Sequence, residues 1–320
     1  MILNKPCSAI IFPGQGSQYV GMGVALADKY EAAKEVFDEV DEALGQDLFK
    51  IIKEGPESEL RLTSNAQPAL MAVSLAVLRV IENISNQNIE NMVSFLAGHS
   101  LGEYSALTAA GSFSLANAAK LLRVRGESMQ NAVPVGTGGM AALLGAELDV
   151  AKEIAILASE KGVCDIANDN APGQIVLSGD LKTVEQSIEI AKAKGIRRAV
   201  LLPVSAPFHC SLMKPAAEKM LEALRNIKIL PPKVPVVTNV NAKKISGDPD
   251  DIRGSLVQQV TSMVRWRESV EWMIENGITS FVELGAGKVL TGLNKRIDKD
   301  VQSISVESPD AIEKVLKELR

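Results

Sequence analysis

Met92-Val93-Ser94-Phe95-Leu96-Ala97-Gly98-His99-Ser100-Leu101-Gly102-Glu103-Tyr104 is the stretch on which the reading of the fold turns. Met92 to Ala97 is a short apolar run of strand length. It stops at Gly98-x-Ser100-x-Gly102, and a helical pattern starts at once. Strand, tight turn and helix in that order are the units of an α/β fold with parallel strands. The G-x-S-x-G spacing has a physical purpose. It lifts a serine hydroxyl out of the sheet on a sharp turn, where flanking glycines avoid collision. It also aims the amides of a helix N-terminus at a developing oxyanion. The five-residue pattern alone is weak because small residues recur by chance, so a glycine-rich turn with an incidental serine is the competing reading. The strand before and the helix after favour a nucleophile.

The same units recur on either side. Ala9 to Phe12 reads as a buried strand stopped by Pro13-Gly14. Helical periodicity runs from Val24 to Leu44, from Ala69 to Ile84, and from Leu115 to Asn131 with Ser114 as N-cap. The middle changes rhythm. Met140 to Leu144, Val163 to Ala167, Gln174 to Leu177 and Ala199 to Val204 are strand candidates. Asn168 to Gly173 is turn-rich. Helices capped by Asp149 and Asp180 complete a βαββαβ order, the ferredoxin-like pattern. The reading is a small domain, residues 137–202, inserted into a larger α/β domain made of residues 1–136 and 203–320. The α/β rhythm then resumes with a helix from Lys214 to Arg225, a strand from Val234 to Thr238, a helix around Trp266 to Glu275 and a strand from Ser280 to Leu284.

A serine nucleophile needs a base, and the chain has only two histidines. His99 adjoins Ser100, so its side chain points to the other side of an extended strand end. His209 remains, in Val204-Ser205-Ala206-Pro207-Phe208-His209-Cys210, directly after a strand candidate. Loops in that position carry function in α/β folds.

The helix from Leu115 holds an anomaly. Ala118, Leu121, Leu122, Arg125 and Met129 share one face, while Arg123 falls round the helix and can be solvated. Arg125 therefore faces inward, where an unpartnered guanidinium is costly. Two readings stand at this point: an internal salt bridge, or a bidentate receptor for a substrate carboxylate.

Other motifs fail. Gly14-Gln15-Gly16 carries Tyr19 where a dinucleotide fingerprint needs its third glycine. Met22 stands where a P-loop needs lysine, and Gly285-Ala286-Gly287-Lys288 lacks the upstream glycine. No H-E-x-x-H occurs, so a histidine-rich metal site is not indicated.

The motifs together resemble one family, the malonyl-CoA:acyl carrier protein transacylases. Phe12-Pro13-Gly14-Gln15-Gly16-Ser17-Gln18 is similar to its opening signature, and Gly98 to Tyr104 to its serine block. Arg125-Gly126 with Met129-Gln130 and Gly136-Thr137-Gly138 resembles the next block. Ala206-Pro207-Phe208-His209 with Met213-Lys214-Pro215 resembles the histidine block, and Val282 to Leu290 the last. The resemblance implies a hydrolase-like α/β domain with a ferredoxin-like insert. It implies that Ser100 carries a malonyl ester, that His209 is the general base, and that the amides of Gln15 and Leu101 form the oxyanion hole. It implies that Arg125 binds the malonyl carboxylate, with Phe208 and Met129 beside the substrate. It implies a backbone carbonyl at Gln259 orienting the histidine; adjacent Gln258 leaves a one-residue slip open. The expected partners are malonyl-CoA and acyl carrier protein. Coenzyme A thioester is then a substrate, and no cofactor or metal is expected. A stand-alone acyltransferase of polyketide synthesis is an alternative reading, as is a serine hydrolase or thioesterase.

Bulk properties agree with this class. The 320 residues are 46% hydrophobic and 23% charged, ordinary for a globular chain, with 4% aromatics and a net charge of −5. The acidic balance argues against a nucleic-acid or anionic-membrane partner. Lys288, Lys295, Arg296 and Lys299 nevertheless cluster near the last glycine block, a candidate docking patch for an acidic carrier protein. Cys7, Cys164 and Cys210 are widely spaced, so a disulfide framework is not indicated and a reducing compartment fits best. The apolar run at Ser8 to Phe12 is too short for a spanning helix or a signal peptide. The expectation is a cytoplasmic monomer, or one in an organelle lumen after loss of a presequence.

Overall fold

A computed structural model describes residues 3, 5 and 7–318. The outermost residues of the expected larger domain, 1–2 and 319–320, lie outside the described residues, as do residues 4 and 6. Among the described residues the strands are β1 (Ser8–Phe12), β2 (Phe95–Gly98), β3 (Gly138–Leu144), β4 (Cys164–Ala171), β5 (Gln174–Asp180), β6 (Arg198–Leu201), β7 (Val236–Val237), β8 (Val264–Arg265), β9 (Ser280–Leu284) and β10 (Gln302–Val306). They form two sheets.

The first sheet has the order β10-β9-β1-β2-β7 and every pairing in it is parallel. All five residues of β1 are buried, as are those of β9. That explains why β1 reads as a continuous apolar run from Ala9 to Phe12 rather than an alternating one, while β9 carries a buried Glu283. Helices cover the faces. Thr63–Ser85 is long and apolar enough to cross a membrane, yet most of it is buried as the central core helix. It packs beside Glu31–Leu44 and Leu115–Gln130, with Leu70, Val73, Val77 and Leu122 in one cluster.

The second sheet has the order β6-β3-β5-β4-β8. Its first four strands are antiparallel and lie within residues 138–201, with helices Leu148–Ala158 and Leu181–Ala193 on the connections. This is the βαββαβ order with the strand arrangement of a ferredoxin-like unit. The fifth strand comes from outside it. β8 pairs in parallel with β4 at Asn168↔Val264 and Asp169↔Arg265, so the larger part of the chain extends the smaller sheet.

Several local expectations are corrected. Val24 to Leu44 is two helices, Val24–Lys29 and Glu31–Leu44, broken by extended Tyr30 at φ −130°. The apolar spacing continues through the break because Leu26, Ala33, Val36 and Phe37 all reach one core. Periodicity reports which face is buried, not whether the axis bends. Asp149 is not a cap; Glu147 occupies that position, with Leu148 as first helical residue. Asp180 is the N-cap residue of its helix, but its side chain accepts from the Val163 amide instead. Asn168 to Ala171 is strand and not turn, with register shifts at Ile166/Asn168 and Asp169/Ala171. Asn and Asp are poor strand formers in isolation, but here tertiary partners hold them. Asp169 receives Arg267 at 2.8 Å and Asn170 meets His99 at 2.8 Å.

Candidate active site

The serine sits where the two glycines allow it to. A Cβ on Gly98 would lie 1.9 Å from the Gly102 carbonyl oxygen, and one on Gly102 would lie 2.3 Å from the Phe12 carbonyl oxygen. No side chain fits at either position, so strand, turn and helix close on one another backbone to backbone. Ser100 itself has φ 54° and ψ −110°, a conformation that L-residues rarely adopt. The strain is held by the parallel pairing of β1 with β2 and by the His99 amide donating to the Phe12 carbonyl at 3.0 Å. Leu101 opens the helix Leu101–Ala109, where an amide has no carbonyl one turn back. Gln15 follows β1 at the same carboxyl edge of the sheet, exposed, with its side chain donating to Thr63 Oγ1 at 3.2 Å.

Ser100 Oγ lies 2.7 Å from His209 Nε2. His209 Nδ1 lies 2.9 Å from the Gln259 carbonyl oxygen. A carbonyl can only accept, so Nδ1 carries the proton and Nε2 presents its lone pair to the serine. The bond selects Gln259 over Gln258, whose side chain is exposed. His209 is buried and has φ 58°, a left-handed turn within a tightly held loop. Ser211 anchors that loop by donating from both its amide and its hydroxyl to Asp165 Oδ2, each at 2.8 Å. Asp165 lies on β4, so the smaller unit helps to aim the base.

Burial, reinforced by the Arg125 charge, pushes the His209 imidazole down from 6.5 to about 3. A lowered imidazole pKa means that the neutral, proton-accepting form persists into acid. At pH 5.5 a free imidazole is about nine-tenths protonated, whereas His209 is expected to stay neutral with its proton on Nδ1. Ring ¹⁵N NMR, assigned by difference from His209→Ala, checks this; a doubly protonated His209 at pH 5.5 would contradict the arrangement.

Arg125 is 1% exposed. Its Nη1 donates to Gln67 Oε1 at 2.8 Å, and its Nη2 donates to Gln259 Oε1 at 2.9 Å and to Ser100 Oγ at 3.1 Å. All three partners are neutral, and Nε has none. Among the described residues Arg125 therefore makes no ion pair, against the internal salt bridge that was one reading of this residue. A guanidinium held by neutral groups beside a serine hydroxyl is a cation awaiting an anion. Gly126 beside it has no room for a side chain, since a Cβ there would meet the Thr63 carbonyl oxygen at 2.5 Å. That close approach brings the arginine helix against Thr63–Ser85 and so brings Gln67 within reach. Arg123, expected to be solvated, is half-buried and donates to Asn65 at 2.8 Å and to Gln46.

Phe208 and Met129 are both buried, and the Met129 sulfur lies 3.9 Å from Gln67 Nε2. His99 turns away from the serine to Asn170, as its place on the strand end requires. Lys288, Lys295 and Arg296 are exposed on or beside the helix Val289–Ile297, and Arg296 also donates to Gln174 Oε1 at 2.8 Å. Sequence reasoning missed three buried polar residues that assemble the site. Asn239 Oδ1 accepts from the Ser100 amide at 2.7 Å while its Nδ2 donates to the Gly98 carbonyl at 2.7 Å. Gln67 holds Arg125, and Glu103 meets both Asn239 and Gln259. Their signal was slight: Asn239 follows a strand, and Gln67 and Glu103 are single polar residues in apolar helical runs.

Comparison with known proteins finds a family model described as the acyl transferase domain matching residues 9–308. The chain is similar to the malonyl CoA-acyl carrier protein transacylase of Bacillus subtilis (strain 168), at 47% identity over 313 residues covering 98% of this chain and 97% of that one. It is 43% identical to the transacylase of the same name from Escherichia coli (strain K12), covering 97% and 98% of the two chains. The crystal structure of an acyl-carrier-protein-S-malonyltransferase from Bartonella henselae superposes with a TM-score of 0.95 at 54% identity, covering 98% of this chain and 99% of that one. A type II PKS acyl-carrier protein in complex with its malonyl-transacylase provides a further match, with a TM-score of 0.94 at 40% identity and 98% and 99% coverage.

Proposed function

Because the chain belongs to the acyl transferase domain family, alongside malonyl CoA-acyl carrier protein transacylases at 47% and 43% identity, we propose that it moves a malonyl group from coenzyme A to acyl carrier protein. The observation that carries the reading is Ser100 Oγ between a neutral His209 Nε2 at 2.7 Å and an Arg125 Nη2 at 3.1 Å. One neighbour takes the serine proton, and the other suits an acyl group that ends in a carboxylate.

The reaction runs in two halves. His209 Nε2 accepts the Ser100 proton as Oγ attacks the thioester carbonyl. The amides of Gln15 and Leu101 receive the developing oxyanion. Collapse releases the coenzyme A thiolate, which takes the proton from His209, and leaves malonyl-Ser100. The pantetheine thiol of the carrier protein then gives its proton to His209 and attacks the ester; collapse expels Ser100 Oγ, which takes that proton back from His209, and leaves the malonyl thioester on the carrier. The Gln259 carbonyl does the orienting work of an acidic triad member: it holds the tautomer without adding negative charge. Phe208 and Met129 wall the acyl group. No metal or organic cofactor enters this scheme; coenzyme A is substrate.

The pathway served is fatty acid elongation, and the likeness to a polyketide malonyl-transacylase keeps polyketide supply as a second reading with the same chemistry. Arg125 disfavours a plain hydrolase or thioesterase, since an ordinary acyl ester calls for no carboxylate receptor. We assign a cytoplasmic monomer without nucleic-acid or membrane partners. Three cysteines, all free thiols, support a reducing compartment.

The test separates the two halves. Labelled malonyl-CoA alone should leave a covalent label on the protein, and holo carrier protein should then remove it as malonyl thioester. Label released to water at the same rate without carrier protein would refute the transferase reading. The exposed Lys295 and Arg296, with Lys288, are proposed as the docking patch for the acidic carrier. Replacing Lys295 and Arg296 together by Glu should raise KM for carrier protein several-fold in the second half and leave the first intact. A fall in the first half alone would remove the patch from the reading.

A further inference from the structure

Glu103 is fully buried on the elbow helix, three residues past the serine. It touches no reacting atom and makes no direct hydrogen bond to Arg125. A carboxyl group in that environment is costly unless hydrogen-bonded, and burial pushes it up to about 7. Its Oε2 accepts from the Asn239 amide at 2.8 Å and from Gln259 Nε2 at 2.9 Å, while Oε1 has no partner.

The contact with Gln259 has a directional consequence. A side-chain amide has a donor end and an acceptor end. Glu103 Oε2 accepts one Gln259 Nε2 hydrogen, and the Ser100 carbonyl at 3.0 Å accepts the other. The Gln259 oxygen is thereby turned towards Arg125, where it accepts from Nη2 at 2.9 Å. Were the amide reversed, its NH₂ would face a guanidinium, donor against donor, and its oxygen would face a carboxyl oxygen. We propose that Glu103 is a positioning residue: by fixing the amide of Gln259 it holds the Arg125 guanidinium beside Ser100, and so sets the preference for an acyl group that bears a carboxylate. The inference rests on the role proposed for Arg125. A proton on Oε1 leaves Oε2 able to accept, so the device works in either protonation state, and glutamine can stand in for the residue.

The experiment is the ratio of kcat/KM for malonyl-CoA to that for acetyl-CoA, with carrier protein as acceptor. Glu103→Ala should lower the ratio about 10-fold or more, the loss expected for one hydrogen bond to a charged group, mainly through KM for malonyl-CoA. Glu103→Gln should return it to within about twofold of wild type, because its carbonyl accepts the same two hydrogens. Equal losses for both thioesters, or a glutamine variant as impaired as the alanine one, would overturn the proposal. Should Glu103→Ala not fold, Gln259→Met decides. It keeps the backbone carbonyl for His209 but removes the amide, and an unchanged ratio there excludes the relay. Arg125→Ala, measured alongside, separates the two claims. If it collapses the ratio and neither other variant moves it, only the Glu103 inference fails; if it leaves the ratio intact, both fail.

Discussion

Ser100→Ala is expected to abolish both covalent labelling by malonyl-CoA and transfer to carrier protein. The hydroxyl, the proposed nucleophile, lies 2.7 Å from His209 Nε2. The turn that presents it is fixed by Gly98 and Gly102, which admit no side chain. The substitution should leave folding intact, because the amide of residue 100 still donates to Asn239 Oδ1. His209→Ala should slow acylation by about 10²–10⁴-fold, the usual worth of a positioned base. Mass spectrometry of the trapped ester and stopped-flow release of coenzyme A measure the two effects. A stable label on the alanine variant would remove Ser100 from the mechanism, and a near-normal rate without His209 would mean that another group takes the proton.

Arg125→Ala should lower malonyl transfer by roughly 10²–10³-fold, since truncating one partner of a buried charge pair typically costs about 3–5 kcal/mol. In the free protein its three hydrogen-bond partners, Gln67, Ser100 and Gln259, are all neutral, and burial drives its pKa down from the usual value. In the proposed reaction the malonyl carboxylate supplies the anion that these hydrogen-bond partners do not. Acetyl-CoA has no carboxylate and should lose little; its transfer can rise, because no buried cation then remains beside the acyl group. Arg125→Lys should rescue only in part, as an ammonium is a point charge and not a planar fork. Parallel loss for both thioesters would make the arginine a structural residue of the Gln67–Gln259 network. Gly126 limits the side remedies, because the helix cannot move away from Thr63 without opening the packing that brings Gln67 to the guanidinium.

The parts of the molecule that were legible along the chain are those whose physics is local. The strand before Gly98, the helix after it and the βαββαβ rhythm of the smaller unit follow from apolar spacing and turn chemistry, and the structure has them within a few residues. The inward face of Arg125 follows from helical period alone. Local propensity misled where a partner from elsewhere intervened. Asn168 to Ala171 reads as turn because those residues favour turns in isolation, and it is strand because Arg267 and His99 hold Asp169 and Asn170. The break at Tyr30 was invisible because apolar spacing on both sides serves the same core.

By itself the sequence determined a candidate nucleophile, a candidate base and an inward cation, since two histidines and one amphipathic stripe left few choices. Only the tertiary structure decided how they meet. Ser100 and His209 are 109 residues apart, Arg125 and Gln259 134, and Gln259 and Glu103 156. No periodicity carries information over such separations; it is set by which strands pair and which helices pack. The tautomer of His209, the neutral partners of Arg125 and the direction of the Gln259 amide depend on single hydrogen bonds, and those exist only after the parallel sheet, the core helix Thr63–Ser85 and the smaller unit have closed around them.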